Sequence, residues 1–142
     1  MTKIELMKTV EFEKRFSIDD ILDFARISED NNPIHINKEH ALNSIFKKRV
    51  VHGVLLVSMF SKIFGTLYPG KGAIYLGQSS KFLKPAFIGE LIKAKAKLIS
   101  FDDDNKKGIF STECFNESDT LILVGEAKIL FPKTFKLSID EK

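Results

Sequence analysis

From Gly53 to about Leu67 the chain carries Val54, Leu55, Leu56, Val57, Met59, Phe60, Ile63 and Phe64, relieved by little more than Ser58, Ser61 and Lys62. A helix with no polar face has to be buried on most sides. At ~1.5 Å per residue, about 15 residues make a rod of roughly 22 Å, long enough to lie across a five-stranded sheet. The uninterrupted apolar stretch falls short of the roughly 20 residues of a membrane span, so insertion into a membrane is not expected. The rest of the fold must be whatever covers this rod.

Period-two patterning supplies the cover. Ile92, Ala94, Ala96 and Leu98 alternate with Lys93, Lys95 and Lys97, as one buried and one wet face require. Strand-like runs lie at roughly residues 73–83, 90–101, 107–116 and 120–131, the later ones separated by turns rich in Asp, Asn and Gly. Lys8 to Phe16 adds a fifth, half-buried strand. Ser17, with Asp20 three positions on, opens a helix whose apolar stripe begins at Ile18 and ends around Ser28. The pattern predicts an α+β fold in which a five-stranded antiparallel sheet wraps around one long central apolar helix.

Composition narrows the class. A chain of 142 residues with 44% hydrophobic content fits one domain over residues 1–142. The net charge of +3 invites a nucleic-acid reading, but lysines that alternate with apolar residues read as a solvated strand face, and no nucleic-acid partner is expected. The lone Cys114 cannot form an internal disulfide, and Met1-Thr2-Lys3-Ile4-Glu5 does not open a signal peptide, so a cytoplasmic protein is expected.

Asp30-Asn31-Asn32-Pro33 is dense in turn formers, and Pro33 steers Asn32 away from helical angles, so a loop of fixed path is expected here. Asn37 then caps a short helix. Asp30 and His35 sit five apart across that loop, which can hold a carboxylate and an imidazole over one small volume. Their reference pKa values of about 3.9 and 6.5 suit a base and an acid working together. Taken alone, the same spacing reads first as a turn aspartate and a surface or hydrogen-bonded structural histidine. The second motif, His52-Gly53, stands where the apolar helix begins. Glycine lets a carbonyl approach the backbone, and a helix start offers unpaired N–H groups and partial positive charge, the kind of donor that stabilises an enolate oxygen. A helix cap is the alternative reading of this pair.

Ser28-Glu29-Asp30-Asn31-Asn32-Pro33-Ile34-His35, leading on to Ala41, is similar to the hydratase motif S-G-D-x-N-P-[LIV]-H of the MaoC-like dehydratases. Glu29 replaces the motif glycine and brings a side chain and a charge beside Asp30. Val50-Val51-His52-Gly53-Val54-Leu55, Ala73-Ile74-Tyr75-Leu76-Gly77-Gln78 and Phe82-Leu83-Lys84-Pro85 also resemble that family, in the same order along the chain. The resemblance covers nearly all of the sequence and comes close to the (R)-specific enoyl-CoA hydratases of the hot-dog superfamily.

It implies a hydro-lyase that interconverts a trans-2-enoyl-CoA and a (3R)-3-hydroxyacyl-CoA. Asp30 and His35 are then catalytic, the Gly53 amide binds the thioester oxygen, and Ser61 matches a helix hydroxyl associated with the site, although as a packed helix serine it needs no such role. Asn32 and Pro33 read as scaffold of the loop. The remaining readings are a (3R)-hydroxyacyl-ACP dehydratase, an acyl-CoA thioesterase and a non-catalytic acyl-CoA-binding module. No cofactor is expected, since CoA is part of the substrate. Lys47, Lys48, Arg49, Lys81 and Lys84 are candidates for its phosphates, with solvated surface charge the alternative for each. Phe60, Phe64 and Leu76 either wall an acyl tunnel or pack. His35, His40 and His52 lack a His-Glu-x-x-His pattern, so no metal is expected. A homodimer or higher homo-oligomer is expected, because one such unit leaves a sheet edge open.

Overall fold

Strand β4 (Leu91–Asp102) shows why the sheet forms where it does. Ile92, Ala94, Ala96 and Leu98 are fully buried while the intervening lysines are only partly covered, so one face is apolar throughout and lies toward the helix. The structure, a computed structural model, describes residues 2–137. The domain expected over residues 1–142 thus extends past the described residues at both ends. The principal sheet contains β2 (Thr9–Arg15), β3 (Ile74–Phe82), β4, β5 (Lys107–Phe115) and β6 (Leu121–Leu130) in the order β2-β4-β5-β6-β3, with every pairing antiparallel. On the wet face Lys95 Nζ lies 3.5 Å from Glu11 Oε2 on β2, so part of the basic surface is neutralised across the strand pair.

Among the described residues four helices accompany the sheet. Helix α1 (Ile18–Ser28) opens on the reciprocal capping box predicted for it: the Asp20 amide donates to Ser17 Oγ, and the Ser17 amide donates to the Asp20 carboxylate. The two short helices α2 (Pro33–Ile36) and α3 (Lys38–Leu42) are capped by Asn32 and Asn37. Helix α4 (Gly53–Lys62) is the apolar rod, and it runs on through one π-helical turn at Ile63–Leu67. Leu56, Met59, Phe60, Ile63 and Phe64 are buried with the inward residues of the sheet in one core.

Three features depart from expectation. The rod, expected to be buried on most sides, is open along one, where Val54, Ser58 and Ser61 form an exposed stripe; the sheet curls beneath one side only. The stretch predicted as loop after Asn32 includes a turn of helix, since Pro33 occupies the first helical position, where its missing N–H costs nothing. A two-stranded parallel ladder joins β1 (Thr2–Ile4) to β7 (Phe135–Leu137). Among the described residues no helix is long and apolar enough to cross a membrane.

Strand β3 is an edge strand. It carries a bulge between Tyr75 and Gly77, and Ile74, Tyr75, Leu76 and Phe82 are all exposed on it. Its partner β6 approaches closely at Gly125, where an added Cβ would lie 1.9 Å from the Ser79 carbonyl oxygen.

Candidate active site

The segment between α1 and α2 is held by a relay of side-chain to backbone bonds, each reaching two residues ahead. Ser28 Oγ accepts from the Asp30 amide (3.1 Å), Asp30 Oδ1 from the Asn32 amide (3.2 Å), and Asn32 Oδ1 from the Ile34 amide (3.2 Å). Such bonds suit Ser, Asp and Asn because their short side chains reach their own backbone. The relay delivers the chain into α2, which carries His35. There, His35 Nδ1 lies 2.6 Å from the Val50 carbonyl oxygen. A carbonyl only accepts, so Nδ1 holds a proton, and the tautomer this selects carries its lone pair on Nε2.

His35 lines a cavity of about 500 Å³ together with Gly53, Val54, Leu56, Phe82 and Lys84. Gly53 is the first residue of α4, and His52 is the N-cap. Side chains cap α1, α2 and α3, but none caps α4. Among the described residues the amides of Gly53 and Val54 donate to no acceptor within the chain, leaving N–H groups of the helix start open beside His35. A Cβ on Gly53 would meet the Phe82 ring at 2.9 Å, so glycine is what allows ring and helix start to border the same cavity.

Asp30 completes the arrangement. A carboxylate oxygen of Asp30 and ring nitrogens of His35 and His52 all lie within 4.8 Å of one another, and the Asp30 side chain is 50% exposed. Three such groups at that spacing raise the question of a metal ion. The rings of His35 and His52 stack at 3.9 Å with 24° between their planes, so their in-plane lone pairs run side by side instead of converging as a tetrahedral site needs. One nitrogen of each ring is committed to a backbone carbonyl, which fixes the ring's orientation.

The family model described as MaoC like domain matches residues 3–119. The chain belongs to the MaoC-like domain family. It is 36% identical over 129 residues to the (R)-specific enoyl-CoA hydratase of Aeromonas caviae, covering 91% of this chain and 96% of that protein. It is 38% identical over 120 residues to a mitochondrial 3-hydroxyacyl-[acyl-carrier-protein] dehydratase of Arabidopsis thaliana, covering 82% and 71%. The solved (R)-hydratase from A. caviae involved in PHA biosynthesis superposes with a TM-score of 0.89 at 36% identity, covering 91% of this chain and 98% of that one. The fold of this MaoC-like chain is the hot-dog fold, as its sequence motifs imply.

Not every residue singled out from the sequence reaches the cavity. Ser61 lines a separate groove of about 350 Å³ with Phe24, Ser58, Tyr75 and Gln78, and only Val54 borders both spaces. Leu76 lines that groove as well, whereas Phe60 and Phe64 are buried in the core. Of the basic candidates, Lys84 lines the cavity beside His35, while Lys47, Lys48 and Arg49 cluster around Phe87 in another depression. Lys81 is exposed on β3.

The contacts of His52 escaped the sequence reading, which placed it in a motif but gave it no role. Its place beside Gly53 at the helix start was visible, but the cap reading fell on the glycine, whereas the structure makes His52 the N-cap. Its stacking on His35 depends on tertiary packing. Glu29, where the MaoC-like motif has glycine, adopts φ +62°, a left-handed conformation that favours glycine. A non-glycine residue there costs about 1–2 kcal/mol, partly offset by the ~0.5–1 kcal/mol that glycine's looser unfolded chain forfeits. Glu29→Gly should therefore raise stability by up to about 1 kcal/mol, read as an increase in the midpoint of urea unfolding. A lower midpoint would show that the glutamate makes compensating contacts.

Proposed function

We propose that this protein is a metal-independent hydro-lyase that reversibly adds water across a trans-2-enoyl-CoA to give a (3R)-3-hydroxyacyl-CoA. One observation carries the reading: His35, whose Nδ1 is committed to the Val50 carbonyl, and the unbonded amide of Gly53 border a single apolar-walled cavity, and the Asp30 carboxylate, which does not itself line that cavity, lies within 4.8 Å of a His35 ring nitrogen. In this scheme the thioester oxygen accepts the Gly53 N–H. Asp30 takes a proton from water as its oxygen attacks the β-carbon, and the bare Nε2 of His35 accepts a hydrogen bond that positions that water. The proton taken up passes by way of this pair to the α-carbon, so that the elements of water are added and both groups return to their starting state. Negative charge gathers on the thioester oxygen as the enolate forms, where a fixed amide at a helix start is most effective. Asn32 and Pro33 shape the loop and take no part in the chemistry.

Similarity to the A. caviae hydratase supports CoA as the carrier and the R stereochemistry. Similarity to the plant dehydratase favours, as a second reading, the same chemistry on an acyl carrier protein. The protein acts as a homodimer in this proposal, because β3 leaves an unpaired edge and exposes Ile74, Tyr75 and Leu76 beside the groove. A cytoplasmic location is in keeping with the single, buried, free Cys114.

A hydration assay on matched enoyl-CoA and enoyl-carrier-protein thioesters, with chiral analysis of the product, tests the reading on the species that sedimentation shows to be present. Faster loss of the enoyl absorbance with CoA, giving the 3R alcohol, is the expected result. Thiol release with the absorbance intact would make the protein a thioesterase, and binding without turnover would make it an acyl-CoA-binding module. A strictly monomeric active species would remove the dimer from the proposal.

A further inference from the structure

His52 occupies a place where packing alone would accept a phenyl ring. It is 2% exposed, meets Phe24 edge-on at 4.7 Å, and stacks on His35 at 3.9 Å. Its Nδ1 is buried with no partner among the described residues, a cost that a hydrocarbon ring of similar shape would not carry. Packing therefore does not explain a histidine here, and its other nitrogen offers the reason. His52 Nε2 lies 3.2 Å from the Asp30 carbonyl oxygen and 4.0 Å from the Asp30 carboxylate. Since the carbonyl can only accept, Nε2 holds a proton and donates it.

We infer that His52 is the positioning residue of this site: its Nε2–H grips the backbone of Asp30 while its ring face sets the plane of His35. The inference rests on Asp30 and His35 being the reacting pair proposed above. His52 is also the residue immediately before Gly53, so the ring that touches both groups is joined covalently to the start of α4. One side chain thus ties together the loop after α1, helix α2 and the helix start that offers the amide. It does not line the cavity, which makes its action indirect.

The alignment depends on a neutral ring. Burial lowers the pKa of His52 below the ordinary histidine value; the bond to the Asp30 carbonyl opposes that shift, and the neighbouring His35 adds to it. The titratable groups facing the ring are Asp30 and His35, and its third neighbour, Phe24, is uncharged. A proton on Nδ1 would place an unpaired buried donor beside the face of His35.

The test uses the full chain with crotonyl-CoA as probe. His52→Phe keeps a ring and loses the Nε2–H, while His52→Gln keeps a donor and loses the ring. Both are expected to fold and to lose about tenfold or more in kcat, with KM held within about threefold, because misalignment by a fraction of an ångström weakens proton transfer without altering the surface that binds substrate. Native kcat in either folded variant, or a loss confined to KM, overturns the inference. The native protein supplies a measurement independent of variant folding: ¹⁵N NMR should show His52 neutral and protonated on Nε2 wherever the enzyme is active. A charged His52, or the Nδ1–H tautomer, overturns it equally. If the native chain hydrates no enoyl thioester, the proposed function fails, and the NMR result still decides whether His52 holds the Asp30 carbonyl as described.

Discussion

Asp30→Asn and His35→Ala should each lower the turnover of a short trans-2-enoyl-CoA by at least about 100-fold, since positioned acid–base groups commonly contribute 10²–10⁴. The two substitutions remove different things. Asn at position 30 keeps an oxygen able to accept the Asn32 amide, so the relay from Ser28 to Ile34 should survive and only the carboxylate's basicity is lost. Ala at position 35 also forfeits the bond to the Val50 carbonyl and the stack on His52, so its unfolding midpoint should fall alongside its activity. KM should change much less than kcat in Asp30→Asn, because the proposed donor to the thioester oxygen is a backbone amide that the substitution leaves in place. Native-level hydration by both correctly folded variants would sink the proposed site.

The second large effect is on stability. Gly125 on β6 faces Ser80 on β3, and a Cβ there would sit 1.9 Å from the Ser79 carbonyl oxygen and 2.7 Å from its carbon. Both atoms are backbone, so no side-chain rotation relieves the overlap and the two strands have to part. Gly125→Ala should cost about 3 kcal/mol or more, at the upper end of overpacking penalties. With a urea m-value of about 1–3 kcal/mol/M for a domain of this size, the midpoint should fall by roughly 1 M or more. A shift smaller than about 0.3 M would show that β3 can slide along β6 at little expense. The contrast with Gly53 is instructive: a Cβ there meets the far end of the Phe82 ring, and that side chain is 51% exposed and free to turn aside.

How far the sequence could be read depended on the length over which a pattern repeats. The predicted strands at 73–83, 90–101, 107–116 and 120–131 agree with β3 to β6 within one or two residues, because each alternates over nine or more positions or is bounded by clear turns. Ser17 and Asp20 made the start of α1 legible for a local reason, a hydrogen-bond exchange across three residues. Strands β1 and β7 are three residues each, too short for alternation to register. The open stripe on α4 was illegible because Val54 looks as apolar as Leu56, and which of them meets the sheet depends on how far the sheet curls. The site divides in the same way. Asp30, His35 and Gly53 stand in recognisable motifs, whereas the assignment of Ser61 to a different groove and the contacts of His52 arise from which surfaces meet in three dimensions.

The ladder between β1 and β7 bears on how the protein is handled. Thr2 pairs with Phe135 and Ile4 with Leu137, and Ile4 is itself buried in the main core. A purification handle fused directly before Thr2 is therefore attached to a clasp, and shortening the chain past Ile4 strips a core side chain along with the partner of β7. A polar spacer of several residues between any fused sequence and Thr2 keeps that clasp closed.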